Sequence, residues 1–233
     1  MRLNRTTVIV LFPIAAAVAL LATHSAAADP QGGDAQRGAR IVATGTDHGV
    51  VPCARCHAFD GAADGSGAFP KLSGLPSYYL AKELRDFASR KRDDAIMSAI
   101  ASRMTAEDIA DVSAYYSGVQ GTATPPPAAQ SDLLALGARL ATVGDDEKRI
   151  QACEGCHGPH GRGEAPAIPP LAGQYAHYIQ FQMRMWQKGY RKNDANRQMA
   201  NIAAKLGPKE VEALGLYFER FPQRRATNKW RQP

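Results

Sequence analysis

The feature that most constrains the fold of this chain is a short cysteine motif that occurs twice. All four cysteines lie in it, as Cys53-Ala-Arg-Cys56-His57 and Cys153-Glu-Gly-Cys156-His157, 100 residues apart. Landmarks around the motif recur with it, since Gly38 is followed 99 residues later by Gly137. The chain therefore contains an internal duplication, and its two halves should share one fold.

Apolar residues recur at helical spacing in both halves and predict amphipathic helices. Thr105 with Asp108 three residues later predicts a capped helix start, and Pro208 suits the first turn of the equivalent helix. No stretch alternates apolar and polar residues for long enough to predict a strand, so the predicted fold class is all-α, with long loops. The apolar positions in the first half are Leu80, Leu84, Phe87, Ile109, Val112 and Tyr116. Their equivalents in the second half are Ile179, Met183, Trp186, Val211, Leu214 and Phe218.

The composition divides the chain into two helical domains joined by a Pro-rich linker. Each domain has only about 90 to 100 residues and so a limited core. The predicted ranges are a signal peptide at 1–28, a first half at 29–120, a linker at 121–132, a second half at 133–221 and a basic tail at 222–233.

The N-terminus has the layout of a secretory leader. Arg2 and Arg5 precede an apolar run from Val8 to Ala22, and Ala26-Ala27-Ala28 predicts cleavage before Asp29. An uncleaved anchor is the alternative, but this run is shorter than the roughly 20 residues that a spanning helix needs. We therefore expect a periplasmic protein, in a compartment where cysteines can be oxidised or linked to haem.

The cysteine motif is the attachment signature of c-type haem. One turn presents both thiols to one porphyrin edge and supplies an axial histidine to the iron, here His57 or His157. A zinc ribbon would space its cysteine pairs by about 15 to 20 residues, and a thioredoxin-like pair needs a strand-helix-strand setting. Two haems c, one in each half, are the expected cofactors.

The sixth iron ligand is expected to be methionine, which raises the reduction potential. Met97 lies eight residues before Thr105 and Met199 lies eight before Gly207, so the repeat places these two equivalently. Met104 has no methionine counterpart.

The remaining candidate ligands fit other roles better. Met183 and Met185 lie on a predicted amphipathic helix, where a core or flanking position is expected. His48, His160 and His177 have no equivalent histidine in the other half and are expected at the surface or beside a haem. Ligation by two histidines remains the alternative for either iron.

A proline follows each motif at the same place in the repeat. A carbonyl near Pro70 or Pro169 is expected to accept the free N–H of the ligand imidazole, which would fix its orientation. A rigid loop turn is the simpler interpretation, and both roles are compatible.

Taken together, these motifs resemble the cytochrome c4 family of tandem class I cytochrome c domains. The resemblance covers nearly the whole chain after the leader and includes Phe69-Pro70-Lys71-Leu72, Ile96-Met97-Ser98 and a Thr-x-Glu-Asp-Ile helix start at 105–109. It implies thioether links at Cys53, Cys56, Cys153 and Cys156, axial pairs His57/Met97 and His157/Met199, and carbonyl partners at Pro70 and Pro169. The second half departs from the family pattern with Ile168-Pro169-Pro170-Leu171.

The resemblance also implies a function in electron transfer. Similar proteins carry electrons between a quinol-oxidising complex and a terminal oxidase, and others serve as electron-accepting subunits of dehydrogenases. A dihaem peroxidase would need an iron with an open position, whereas both irons here have a methionine candidate. We expect an electron carrier rather than an enzyme, with redox proteins and no nucleic acid as partners.

Charge is divided unequally between the halves. Residues 29–121 hold 10 Lys and Arg against 12 Asp and Glu, whereas residues 122–233 hold 16 against 10. The formal charges are therefore −2 and +6, and the tail from Arg220 contributes most of the excess. We expect the tail to steer the second half toward an acidic partner or an anionic membrane surface. A solvated tail that only aids solubility is the alternative.

Overall fold

A computed structural model describes residues 32–122, 125–126 and 128–223. The predicted signal peptide and the tail from residue 224 lie outside these residues. No helix within them is long and apolar enough to cross a membrane. The α-helices are α1 Ala35–Thr44, α2 Ala54–His57, α3 Ser77–Ala88, α4 Met97–Ala101, α5 Ala106–Gly118, α6 Ser131–Thr142, α7 Glu154–His157, α8 Ala176–Gln187, α9 Gln198–Ala203 and α10 Pro208–Glu219.

The two halves repeat one helix arrangement. The first helix of each half packs against its last, α1 on α5 and α6 on α10. The repeated glycines mark these crossings, because a Cβ on Gly38 would lie 2.1 Å from the Asp111 carbonyl oxygen, and one on Gly137 would lie 2.3 Å from that of Ala213. No side chain fits at either position.

The predicted helical faces are confirmed. Ile109 and Val112 on α5 are each 4 % exposed, and their equivalents Val211 and Leu214 on α10 are 2 % and 3 % exposed. Buried apolar residues form a core cluster in each half. The first consists of Ile41, Val42, Val50, Leu75, Leu80, Val112, Tyr115 and Tyr116, and the second of Leu140, Ala141, Ile150, Ile179, Met183, Ala203, Leu206, Val211, Leu214 and Phe218.

The predicted helix starts are also confirmed. Thr105 and Asp108 form a reciprocal capping box at α5, each side chain accepting the other residue's backbone N–H. Pro208 occupies the first turn of α10, after the N-cap residue Gly207.

A small antiparallel pair of strands, absent from the sequence prediction, precedes the second motif. β1, Gly144–Asp145, pairs with β2, Ile150–Gln151. Strands of two residues are too short for alternation of polar and apolar side chains to reveal them. Gly144, with φ +88, makes the turn into this hairpin.

The halves contact each other through polar groups. The Gln174 side chain both accepts from the Lys71 backbone N–H, at 2.9 Å, and donates to the Lys71 carbonyl, at 3.0 Å. The Tyr175 hydroxyl donates to the Ala62 carbonyl at 2.6 Å. The loop that follows the first motif is thereby held against the start of α8.

Replacing Asp108 with Asn should lower the free energy of unfolding at pH 7 by about 2 kcal/mol. The side chain of Asp108 is 0 % exposed and accepts from Arg37 at 2.6 Å and from His48 at 3.0 Å. Although burial alone would raise it, hydrogen bonds from Thr105, His48 and Arg37 hold the pKa of Asp108 below its usual 3.8. The charged carboxylate of Asp108 therefore stabilises the fold above pH 3.8. This stabilisation is lost as the pH falls below that value and through the lowered pKa of the folded protein.

Chemical denaturation of the protein and the variant at pH 7 and pH 3 measures this effect. The difference between the two proteins should shrink at pH 3. Asp47→Asn is the control, because the side chain of Asp47 is fully exposed. An equal loss in both variants would contradict the prediction.

Candidate haem sites

Each cysteine motif folds into a single helical turn. Cys53 is the N-cap of α2 and Cys153 that of α7, and each helix ends at the motif histidine. His57 and His157 are 7 % and 8 % exposed. The turn brings both cysteines and the histidine of one motif into one local unit, as covalent attachment to one porphyrin edge requires.

Each motif histidine is held by the carbonyl of a proline. Nδ1 of His57 lies 3.2 Å from the Pro70 oxygen, and Nδ1 of His157 lies 2.8 Å from the Pro169 oxygen. A carbonyl can only accept, so Nδ1 carries the proton in each ring. Nε2 is then left with a free lone pair, which is the state of an imidazole that ligates a metal.

The electrostatics of the motifs favour ligation over thiol redox chemistry. Burial lowers the pKa of His57 and of His157, so both rings are neutral near pH 7. Burial also raises the pKa of the Cys53 thiol and of the Cys153 thiol to about 11. A redox-active Cys-x-x-Cys pair needs a lowered thiol pKa, and the shift of the first cysteine in each motif is in the opposite direction.

Tyrosines on the last helix of each half tie that helix to the motif. The Tyr115 hydroxyl donates to the Phe59 carbonyl at 2.8 Å, and the Tyr116 hydroxyl to the Ala58 carbonyl at 3.1 Å. In the second half the Tyr217 hydroxyl donates to Oε1 of Glu154 at 3.1 Å. Sequence reasoning took Tyr116 as a core residue only, although the recurrence of an aromatic pair in the last helix was a signal for this role.

The two methionine candidates occupy equivalent short helices. Met97 begins α4, where Oδ1 of Asp94 accepts from its backbone N–H at 2.8 Å. Met199 lies in α9, where Asp194 accepts from the N–H of Ala200 at 3.0 Å. Both side chains are half-buried. Along the chain, α4 comes between α3 and α5, and α9 comes between α8 and α10.

The other methionines have no methionine at the equivalent place in the other half. Met104 packs against the first core cluster, and Leu206, which stands in its place in the repeat, is a member of the second cluster. Met183 is 6 % exposed in the second core, as expected of a core residue, and Met185 is half-buried on the same helix.

The other histidines contact protein groups. His48 pairs with Asp108, and the ring of His160 stacks on Phe221 with centroids 4.7 Å apart. Nδ1 of His177 lies 3.4 Å from the Ser66 carbonyl oxygen. Among the described residues, no group of three or more His, Cys, Asp and Glu side chains is arranged to hold a metal ion.

The residues present fit a haem. An imidazole nitrogen and a thioether sulfur are the donor set expected of a high-potential haem iron, and the thiols supply the covalent links. One further donor is unused, because Nε1 of Trp186 is buried and has no hydrogen-bond partner among the described residues. A buried N–H without a partner is costly, so a bound group with acceptor oxygens would satisfy it.

Comparison with known proteins supports this interpretation. Residues 35–120 match the family model described as Cytochrome c. The chain is 36 % identical over 214 residues to the thiosulfate dehydrogenase electron acceptor of Stutzerimonas stutzeri (strain A1501), an alignment that covers 91 % of this chain and 96 % of the relative.

Two solved structures share the fold. Reduced recombinant cytochrome c4 from Pseudomonas stutzeri superposes with a TM-score of 0.72 at 32 % identity, over 81 % of this chain and 99 % of that one. The thiosulfate dehydrogenase of Marichromatium purpuratum superposes with a TM-score of 0.74 at 37 % identity, over 80 % of this chain. Our chain spans only 40 % of that longer protein.

Proposed function

Because the chain belongs to the cytochrome c4 family of electron-transfer proteins with covalently bound haem c, we propose that it is a periplasmic carrier with two haems. Its donor would be a quinol-oxidising complex and its acceptor a terminal oxidase. The observation that carries the proposal is the duplicated motif in which each buried histidine is oriented by a proline carbonyl.

The haem ligands follow from the same duplication. Cys53 and Cys56 would hold the first haem and Cys153 and Cys156 the second. His57 and Met97 would ligate the first iron, and His157 and Met199 the second. Pro70 and Pro169 would keep each imidazole in the tautomer whose Nε2 has a free lone pair for iron.

A bound haem would supply an iron that alternates between the ferric and ferrous states. The protein keeps the motif histidine neutral by burial, orients it through the proline carbonyl and ties the motif to the last helix through tyrosine hydroxyls. Ligation by both histidine and methionine leaves no open position for a substrate, so we propose electron transfer and not catalysis.

A redox titration of the visible spectrum of the holoprotein tests this proposal. We expect two one-electron transitions and a haem content of two for each chain. A single haem, or a high-spin ferric spectrum that indicates an open coordination position, would contradict it.

A second candidate function is that of electron acceptor for a dehydrogenase. The similarity to the Stutzerimonas stutzeri electron acceptor over nearly its whole length favours this candidate. Purified protein can be mixed with a thiosulfate dehydrogenase and thiosulfate, or with a quinol-oxidising complex and quinol, while haem reduction is followed. Rapid reduction in only one mixture identifies the donor class.

Removing the basic tail from Arg224 to Pro233 should slow electron transfer several-fold at low ionic strength. The tail contributes four positive charges to a chain whose second half is already basic, and such charges steer association with an acidic partner. Stopped-flow rates across a salt series measure the effect, which should vanish at high salt because of screening.

A control variant of full length separates charge from chain length. Replacing Arg224, Arg225, Lys229 and Arg231 with Gln should slow transfer as much as the deletion does, with unchanged haem spectra. Rates and salt slopes identical to those of the unaltered protein would overturn the steering role.

A further inference from the structure

A buried ionic cluster lies where α3 of the first half faces α8 of the second. Oε2 of Glu83 on α3 accepts from Arg92 at 2.5 Å and from Arg191 at 3.1 Å. The three side chains are 8 %, 9 % and 7 % exposed, respectively. One carboxylate of the first half therefore pairs with a guanidinium from each half.

At the centre of this cluster, four side chains form two equivalent pairs in the duplication. Glu83 corresponds to Gln182, and Arg92 to Arg191, each 99 residues apart. Oε1 of Gln182 accepts from Arg92 at 2.9 Å and from Arg191 at 2.8 Å. The side chains at positions 83 and 182 thus each contact both guanidiniums, but only Glu83 carries a charge.

The second half also contributes a neutral donor to this carboxylate. Nδ2 of Asn193 donates to both oxygens of Glu83, at 3.0 and 3.1 Å. Burial by itself would raise the pKa of Glu83, but the neighbouring Arg191 and Arg92 lower it to about 2. The carboxylate is therefore charged at neutral pH.

We propose that Glu83 is a positioning residue for the two halves of the protein, which adds to the contacts of Gln174 and Tyr175 by supplying the anion that both buried guanidiniums share. The second half is held to the first through Arg191 and Asn193, both of which donate to this carboxylate. A fixed junction keeps a constant separation for electron exchange between the halves, a consequence that rests on the proposed function. The holding role does not depend on it.

The energetics favour this role for Glu83 over its neighbours. A buried guanidinium without an anion strongly destabilises the fold. Removing the charge of Glu83 would leave both Arg92 and Arg191 without this anion. Asp86 is the other acidic side chain in the cluster, and it shares Lys82 and Asn193 with Glu83, whereas Glu83 also accepts from both guanidiniums.

The test uses the holoprotein with a protease recognition sequence inserted after Ala128 in the linker. After cleavage, the two halves of the otherwise unaltered protein should co-elute from a size-exclusion column. In Glu83→Gln their dissociation constant should rise about 100-fold, so that they separate on dilution. Each separated half should keep its far-red ligand band, which shows that the haem sites are intact.

Exchanging the two side chains makes the test specific. Because position 182 contacts both guanidiniums, Glu83→Gln with Gln182→Glu should restore co-elution. Glu107→Gln is the matched control, since its side chain is 75 % exposed and 3.8 Å from Arg37, and it should behave like the unaltered protein.

Co-elution of the cleaved Glu83→Gln halves, or their separation in the exchanged variant, would overturn the proposal. If Glu83→Gln alone fails to accumulate, the exchanged variant decides, and its own failure to accumulate would also overturn it. The haem count of the starting protein tests the proposed function separately from this result.

Discussion

Replacing either Met97 or Met199 with Ala is expected to remove half of the far-red band between sulfur and ferric iron. Each variant should also lower the potential of one haem by on the order of 0.1 V, because methionine ligation raises the potential of an iron that also has a histidine ligand. Two observations support the choice of residues. Each methionine lies eight residues before the N-cap of the last helix of its half. Each also lies in a short helix that donates a backbone N–H to a nearby aspartate.

Absorption spectra and potentiometric titrations of the holoproteins measure both effects. Met104→Ala is the matched control, because its equivalent in the repeat is Leu206, a core residue that cannot ligate iron. It should reduce stability and leave the band intact. Loss of the band in Met104→Ala but not in Met97→Ala would show that the first-half assignment is wrong.

Replacing all four cysteines with Ala should give a chain that does not fold. The buried apolar clusters of the two halves contain only eight and ten residues, so each core is small. A covalently held ligand stabilises only the folded state, and its loss removes that stabilisation. Circular dichroism at 222 nm should show little helix and no cooperative melting.

Variants altered at one motif provide the control. Cys53→Ala with Cys56→Ala should disrupt the first half, while the second keeps its far-red band and about half of the helical signal. The equivalent pair in the second motif should show the converse. A cooperatively melting, helical protein without any haem would contradict the prediction.

Local chemistry explains which parts of the fold were predictable. The apolar positions of α5 and α10 repeat at helical spacing, so their buried faces were correctly predicted. The capping box of Thr105 and Asp108 depends on residues three apart, and such pairs can be recognised in a sequence. The two-residue strands before the second motif leave no periodic signal, so they were missed.

Duplication extended the prediction to the haem ligands. Met97 and Met199 were selected because only they hold equivalent places in the two halves, an argument that needs no coordinates. The glycines at 38 and 137 appeared only as landmarks, and the structure supplies their reason, because helix backbones pass too closely there for any side chain.

The sequence alone determined that this protein has two equivalent helical halves, each with a haem-attachment motif, because motif spacing and helical periodicity are properties of neighbouring residues. Only the tertiary structure decided how those halves meet. The sequence does not reveal that Glu83 and Gln182, 99 residues apart, both contact the same two guanidiniums. Contacts of that kind depend on how the helices pack. Whether a charged side chain is buried, and which group it pairs with, is decided by the whole fold and not by its neighbours in the chain.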